Sequence, residues 1–303
     1  MEAVVNETLH NGSASLYTTL YRRPSAETIV LLHGGPGVPD DMTEICDFLS
    51  PYYQVLKFEQ RGSGRGINDP CTFQIQEYIS DLEVIRKHYS LTRFHLFGHS
   101  WGGVYAQLYA RVHSQNILSL FLCSPASGTG KIWTMAEREI FMYNYRRATA
   151  LEWLGMVRDF VAGILGSKTA YRRLFRQLII NYHKGYNVDA PDDEKISGIG
   201  SRAGTLTRRE IKKHPPIDSF GITPYPVLIT YGEHDAYGKS REHQIARFPG
   251  ARLQIIPSSG HTPWKHNLPY FQSLLRDFYY PPRRGGSIML SRDFMNPESL
   301  SGE

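Results

Sequence analysis

The chain has 303 residues and a formal net charge of +5. This length fits one large α/β domain with an insertion, or two small domains, and the composition is that of an ordinary soluble globular protein. No run reaches the roughly 18 apolar residues of a membrane span, and no nucleic-acid-binding signature accompanies the positive charge, so we expect neither a membrane nor a nucleic-acid partner.

The first residues lack a basic segment followed by an apolar one, which predicts that no signal peptide is present. Cys46, Cys71 and Cys123 are widely spaced and follow no metal-ligand pattern. Such spacing favours buried or free thiols in a reducing compartment. We therefore expect a cytoplasmic protein without a metal site, whose oligomeric state the sequence leaves open.

Patterns typical of strands and helices alternate through the first 128 residues. Predicted strands cover residues 4–21 (a pair), 28–32, 53–58, 94–97 and 118–123, and a predicted helix covers residues 75–88. Glycine-rich loops follow the strands that end at residues 32 and 58. Buried strands that alternate with helices predict a mostly parallel central sheet with helices on both faces, the α/β class.

The strand pattern stops between about residues 129 and 218 and resumes at residues 227–231 and 252–256, before a last helix at 267–279. The interruption has helical spacing and is basic, with Arg146, Arg147, Arg158, Lys168, Arg172, Arg173 and Arg176. We predict a core of residues 1–128 and 219–280, a helical insertion at 129–218, and a polar, flexible extension at 281–303.

The segment Gly98–Gly103 has the form G-x-S-x-G and stands between a predicted strand and a predicted helix. A serine at such a sharp turn is held out from the backbone, and the helix N-terminus favours negative charge as it develops. Glycines beside the serine avoid the clash that a Cβ would cause. Ser100 is therefore the predicted nucleophile.

A serine hydroxyl needs a base to accept its proton, and the base needs an acid to fix its tautomer. In a sheet of this kind the partners follow later strands, in the order Ser, Asp or Glu, His. Asp235 follows the strand at 227–231, and His261 follows the strand at 252–256. We predict Asp235 as the orienting acid, in preference to Glu233, and His261 as the base.

An acyl-transfer intermediate carries an oxyanion, which two backbone N–H groups usually hold. Trp101, directly after the predicted nucleophile, supplies one donor, and Gly35 in the loop after the strand at 28–32 supplies the second. Tentative substrate contacts come from the same loops and from the start of the insertion: His33, Gly34, His99, Trp133, Tyr143, Arg146 and Trp264.

These residues together resemble the proline iminopeptidase branch of the α/β-hydrolase superfamily. The resemblance rests on His33–Gly37, Gln60–Gly64, Gly98–Gly103, Gly232–Asp235 and Gly260-His261, spread over about residues 28–280. It implies an α/β-hydrolase fold, a helical cap over the active site at about 129–218, a Ser-His-Asp triad and no cofactor.

The chain departs from this branch where the family's aminopeptidases hold the α-ammonium of the substrate with acids. One such acid commonly follows the catalytic Asp, where this chain has Ala236, and another lies in the late cap, where residues 200–205 carry no carboxylate. Since a buried ammonium needs an opposite charge, the departure disfavours an aminopeptidase. Glu137, Glu139 or Glu152 remain as substitutes.

The predicted function is a serine hydrolase that cleaves a small amide or ester through an acyl-enzyme. The alternatives are an esterase, lactonase or thioesterase, or a ligand receptor that retains the triad without turnover. If some of Arg146, Arg147, Arg172, Arg173 and Arg202 line the site, the substrate carries a carboxylate or phosphate; otherwise they form a solvated helix face.

Overall fold

The computed structural model describes residues 4–39 and 41–280. The extension predicted at residues 281–303 lies outside the described residues. Within them, an eight-stranded sheet carries helices on both faces, which is the predicted architecture.

The strands are β1 (Val4–Asn11), β2 (Ala14–Tyr21), β3 (Thr28–Leu32), β4 (Gln54–Glu59), β5 (Phe94–His99), β6 (Ile117–Cys123), β7 (Val227–Gly232) and β8 (Arg252–Ile256). Their order across the sheet is β1-β2-β4-β3-β5-β6-β7-β8. β1 and β2 form a hairpin that pairs antiparallel with β4, and β3 to β8 run parallel to one another. The loops after β3, β5, β7 and β8 therefore leave the same edge of the sheet, where α/β proteins bind ligands.

The helices are α1 (Thr43–Leu49), α2 (Ile75–His88), α3 (Trp101–Val112), α4 (Lys131–Arg147), α5 (Ala150–Ile164), α6 (Lys168–His183), α7 (Asp193–Ser197), α8 (Ser201–Lys213), α9 (Arg241–Arg247), α10 (Pro263–His266) and α11 (Leu268–Tyr279). Helices α4 to α8 lie between β6 and β7, where the sequence predicts the insertion. α5 begins at a capping box, in which Glu152 N donates to Thr149 Oγ1 and Thr149 N donates to Glu152 Oε2.

The core lies in two layers, one on each face of the sheet. Every residue of β3 is buried between them. Val30 and Leu32 pack into an apolar cluster that contains side chains of α2 and α3, whereas Ile29 and Leu31 pack into a cluster with α1 and α11. A strand buried on both faces reads as an unbroken apolar run, which is how it appears in the sequence. The three cysteines of the chain are buried and free.

The segment between α7 and α8 fastens the inserted helices to the core loops. Gly200 N donates to Gly37 O at 2.7 Å, and Gly64 N donates to Gly198 O at 2.9 Å. A Cβ on Gly200 would overlap the carbonyl oxygen of Gly62, so the two backbones meet directly. The loops after β3 and β4 are thereby held against the inserted helices.

Candidate active site

Ser100 occupies the turn between β5 and α3 in a backbone conformation that few side chains adopt. Its φ is +53°, in the left-handed region, with a ψ of −116°. Such strain amounts to about 1–3 kcal/mol and persists only where the surroundings enforce it. A Cβ on Gly98 would overlap the carbonyl oxygen of Gly102, and a Cβ on Gly102 would overlap that of Leu32. These close approaches explain the glycine spacing of the motif.

Ser100, His261 and Asp235 form a continuous line of hydrogen bonds. Ser100 Oγ lies 3.0 Å from His261 Nε2, and His261 Nδ1 lies 3.0 Å from Asp235 Oδ1. The side chains of His261 and Asp235 are 5% and 0% exposed. Because a carboxylate only accepts, Nδ1 donates to Asp235, which leaves Nε2 to accept the proton of Ser100. The structure thus brings together the three residues that chain order predicts.

The loop after β7 fixes the Asp235 carboxylate. Burial raises the pKa of Asp235, but the adjacent His261 and hydrogen bonds to the carboxylate outweigh it, and the pKa lies below its ordinary value. Tyr237 N donates to Oδ1 at 3.2 Å. The competing acid, Glu233, has a side chain that is 52% exposed, and it accepts from Ser258 N at 2.9 Å. Glu233 is therefore directed away from His261.

Two backbone N–H groups border the same cavity as Ser100. Gly35 has a φ of +53°, a conformation that favours glycine. Trp101 is the first residue of α3, so its N–H has no partner within the helix. A Cβ on Gly34 would lie 2.7 Å from His99 Nδ1, so this loop packs directly against the nucleophile turn. Both residues thus lie in the cavity wall beside Ser100, and their role as oxyanion donors is part of the proposal below.

His33 braces this loop and does not line the cavity. Its Nδ1 donates to Gly34 O at 2.9 Å, and its Nε2 accepts from Gln60 N at 3.1 Å. Gln60 also donates to His33 O at 2.8 Å and accepts from Trp101 Nε1 at 2.9 Å. Both ring nitrogens are engaged, so the structure gives the tentative substrate contact of His33 no support.

His99 is a neutral imidazole beside the predicted base. Its Nε2 donates to His261 O at 2.9 Å, and the edge of Trp264 packs against it with ring centroids 4.6 Å apart. Burial, with the nearby His261, lowers the pKa of His99 to about 3. Nδ1 is therefore unprotonated, and it lies against the backbone of Gly34. Trp264 lies behind His99 and does not line the cavity.

The cavity above Ser100 has a volume of about 170 Å³. Helix α6 supplies much of its apolar wall, with Phe175, Leu178 and Ile179. Tyr182 of α6 places its ring 4.8 Å from the ring of His261, and Tyr237 Oη lies 3.4 Å from Ser100 Oγ.

The charged side chains on the cavity wall are matched in pairs. Glu137 Oε1 lies 2.7 Å from Arg208 Nη2, and its Oε2 lies 2.6 Å from Lys212 Nζ. Burial raises the pKa of Glu137, but these cations and their hydrogen bonds lower it below the ordinary value. Asp41 Oδ2 lies 2.8 Å from Lys195 Nζ, and despite burial the nearby cations lower the pKa of Asp41 to about 2.

The remaining predicted contacts divide between the cavity and the surface. Gly34, His99 and Trp133 line the cavity. Tyr143 does not: its ring packs against Tyr182 at 5.7 Å. Arg146 is exposed and lies outside the cavity wall, because it is on a different face of α4 from Trp133, Glu137 and Ile140.

The other arginines that sequence reasoning weighed for an anionic substrate are also absent from the cavity wall: Arg147, Arg172, Arg173 and Arg202. Of the three candidate acids, Glu137 lines the cavity. Glu139 instead accepts from Gly238 N and Ser240 N, each at 2.9 Å, and Glu152 pairs with Lys184.

Sequence reasoning missed Tyr182, Arg208, Lys195 and Asp41 as cavity residues. Helical spacing shows which positions share one face of a helix. It does not show which face packs over a loop that is distant in sequence, such as the one at Ser100. Tyr237 had a usable signal, because it lies two residues after Asp235 in a loop already assigned to the site.

In the described ranges, no group of three or more His, Cys, Asp or Glu side chains is arranged to hold a metal ion. A search of the same residues found no helix with the length and apolar character needed to cross a membrane.

Curated relatives share sequence over different parts of the chain. A proline iminopeptidase from Lactobacillus acidophilus is 29% identical over 149 residues, which is 47% of this chain and 50% of that protein. The chain thus matches about half the length of this relative. A proline iminopeptidase from Lactobacillus delbrueckii subsp. lactis is 23% identical over 82% of this chain and 89% of that protein.

Solved structures share the fold at lower identity. A proline iminopeptidase from Mycobacterium smegmatis superposes with a TM-score of 0.63 at 16% identity, over 90% of this chain and 97% of its own. A carboxylesterase from Bacillus subtilis superposes with a TM-score of 0.61 at 15% identity, over 91% of each chain. Residues 27–264 match the family model described as the alpha/beta hydrolase fold. The chain therefore belongs to the α/β-hydrolase family and is similar to its proline iminopeptidase branch, as the motifs predict.

Proposed function

We propose that this protein is a serine hydrolase that cleaves small carboxylic esters through an acyl-enzyme on Ser100. The observation that carries the proposal is the line from Ser100 Oγ through His261 to Asp235, with both contacts at 3.0 Å beside a partly apolar cavity. The family membership supports a hydrolase, and the helices at about 129–218 are proposed to act as a cap over the site.

In the proposed reaction, Ser100 Oγ attacks the ester carbonyl carbon while its proton passes to His261 Nε2. Asp235 stabilises the imidazolium that forms, and the N–H groups of Gly35 and Trp101 bind the oxyanion. His261 then gives the proton to the leaving oxygen as the C–O bond breaks. A water molecule, deprotonated by His261, releases the acid and restores the serine.

The charges on the cavity wall favour an uncharged acyl group. Asp41 and Glu137 are both paired with cations, Lys195 and Arg208 respectively. A substrate ammonium would have to compete with these cations for the carboxylates, and a substrate carboxylate would meet Arg208 already bound. A neutral ester avoids both costs.

Labelling with a fluorophosphonate probe tests the nucleophile. We expect wild-type protein to be labelled at one serine, Ser100→Ala to be unlabelled, and the exposed control Ser13→Ala to be labelled as wild type. Equal labelling of Ser100→Ala would overturn the assignment. Labelling without turnover of any ester would favour the ligand-receptor alternative.

A second candidate, an amidase that accepts a free α-amine, is favoured by one observation: Glu137 lines the cavity. Comparison of proline naphthylamide with p-nitrophenyl acetate and butyrate separates the two. The ester proposal predicts higher kcat/KM on the esters and little effect of Glu137→Gln on them. The amidase instead requires that Glu137→Gln raise KM for the amide.

A further inference from the structure

The inserted helices leave a broad apolar surface uncovered. Among the described residues, eighteen large hydrophobic side chains are exposed, and eleven of them lie between Met135 and Leu165. Leu151 and Leu165, at the two ends of α5, are each 82% exposed. Exposed apolar side chains that cluster in this way are typical of interaction surfaces.

The surface is continuous across two helices. The rings of Phe141 and Tyr145 on α4 lie 5.0 Å and 5.1 Å from the ring of Trp153 on α5. On α5 the exposed residues lie opposite the buried Met156 and Asp159. We name as the outer cap face the exposed residues Phe141, Tyr145, Leu151, Leu154, Val157, Phe160, Val161, Ile164 and Leu165.

The outer cap face is separate from the candidate active site. None of its nine residues lines the cavity at Ser100. Helix α4 turns Trp133 and Ile140 toward the cavity, whereas its Phe141 and Tyr145 are exposed. The surface therefore calls for a partner other than the substrate in the cavity.

The outer cap face lies on α4 and α5, within a basic stretch of three helices, α4 to α6. Residues 131–183 hold nine Lys and Arg against four Asp and Glu, and four of the nine cations, Lys168, Arg172, Arg173 and Arg176, lie on α6, which carries none of the face. None of the four acids is exposed. They are bound within the fold: Glu137 by Arg208, Glu139 by Ser240, Glu152 by Lys184 and Asp159 by Arg173.

Exposed cations stand on and beside the apolar residues. Arg158 Nη2 lies 3.1 Å from Asp159 Oδ1, while the Arg158 side chain remains 68% exposed. It lies four residues after Leu154 and three before Val161, so it shares their face of α5. Lys168 follows Leu165 by three residues and is exposed. No acid in the described part of the chain lies within 4 Å of Lys168 or Arg146. The same region of the surface thus presents apolar side chains and positive charge.

We propose that the outer cap face docks on an anionic lipid surface. A helix with exposed Leu, Phe and Ile beside Lys and Arg lies in the plane of a membrane interface and prefers anionic lipids. At 15 residues, α5 is about 22 Å long, enough to rest along such a surface.

Charge and composition disfavour the other occupants. A symmetric dimer through this face would bring two surfaces of the same positive sign together. A protein partner usually engages aromatic anchors, whereas six of the nine residues of the face are Leu, Val or Ile, and Leu and Val are under-represented at protein hot spots. The proposal revises the sequence-based expectation of no membrane partner, which rested on the absence of a spanning segment.

Co-sedimentation of the full chain with lipid vesicles tests the proposal without using catalytic activity. We expect binding to vesicles of phosphatidylcholine with 30% phosphatidylglycerol, and at least tenfold weaker binding to pure phosphatidylcholine. Binding should weaken as NaCl rises from 0.1 to 0.5 M, because salt screens the contacts between lysines or arginines and lipids.

Two pairs of variants separate the apolar from the charged contribution. Leu154→Gln with Ile164→Gln should lower the partition coefficient tenfold or more, whereas Ile222→Gln, 81% exposed outside the face, should not change it. Arg146→Gln with Lys168→Gln should lower it about 25-fold, at about fivefold per cation. The exposed Lys87→Gln is the matched charge control.

Thermal melting of each variant checks that it is folded. Equal binding to neutral and anionic vesicles would overturn the proposal, as would unchanged binding in both double variants. A wild-type dimer in light scattering that becomes a monomer in Leu154→Gln with Ile164→Gln, without vesicle binding, would assign the face to a second copy instead.

Discussion

Lowering the pH from 7.5 to 5.0 is predicted to destabilise the fold steeply, because the folded protein keeps three buried imidazoles neutral. Burial lowers the pKa of His99 to about 3, that of His183 to about 4 and that of His266 to about 3. His266 Nδ1 accepts from Gly260 N at 2.9 Å, and its Nε2 lies 2.9 Å from His183 Nδ1. Protonation of either ring would disturb this series of hydrogen bonds, which includes Gly260, the residue before His261.

The size of the effect follows from proton linkage. The unfolded chain binds a proton on each of these histidines below a pKa of about 6.5, and the folded chain does not until the pH approaches its lowered values. Their stabilisation is therefore complete above about pH 6.5 and is lost as the pH falls from there toward the folded pKa values. At pH 5.0 each neutral imidazole accounts for about 2 kcal/mol, and three account for roughly 6 kcal/mol. A loss of this size is comparable with the whole stability of many domains.

Urea unfolding followed by tryptophan fluorescence measures the loss at the two pH values and constant ionic strength. His183→Asn should reduce the difference between pH 7.5 and pH 5.0 by about 2 kcal/mol, since it removes one titrating group. His10→Asn, at an exposed position, is the matched control and should leave the difference unchanged. A wild-type difference below 2 kcal/mol, or no change in His183→Asn, would refute the reasoning.

Three further predictions use other contacts. Asp235→Asn should lower kcat on esters by about 10⁴-fold with KM within a few fold, because the wrong tautomer of His261 is stabilised; a loss below tenfold in steady-state assays would contradict the assigned role. Gly155→Ala should raise the free energy of unfolding by about 0.5–1 kcal/mol, since nothing lies within 4 Å of the added Cβ in mid-helix, whereas Gly102→Ala should unfold or inactivate the chain; urea titration distinguishes them. Arg61→Met should cost about 3–5 kcal/mol in the same titration, because Arg61 Nη2 lies 2.6 Å from the buried Asp81, and Arg61→Met with Asp81→Leu should recover most of it.

Local chemistry made most of the candidate triad predictable. Ser100, Asp235 and His261 each follow a strand, and parallel strands deliver their following loops to one edge of a sheet. The glycines at 98 and 102 are required by backbone contacts, so they mark the turn in any sequence that forms it.

Substrate contacts were less predictable. Trp133 lines the cavity, but Tyr143 and Arg146 on the same helix do not. The difference is rotation about the α4 axis, which depends on packing against α6 and α8. Conversely, Arg208 and Lys195 enter the wall from segments with no catalytic motif.

The sequence by itself determined the fold class, the turn at Ser100 and the order of the candidate triad. The fold class depends on the alternation of strands and helices, and the other two depend on residues within one strand and its following loop. Tertiary structure alone decided which charges meet and which faces stay exposed. The acids of α4 and α5 are paired and several arginines near them are exposed, because the packing of α4, α5 and α6 selects which side of each helix is buried. Helical periodicity defines a face, but only contact with a neighbour decides where that face points.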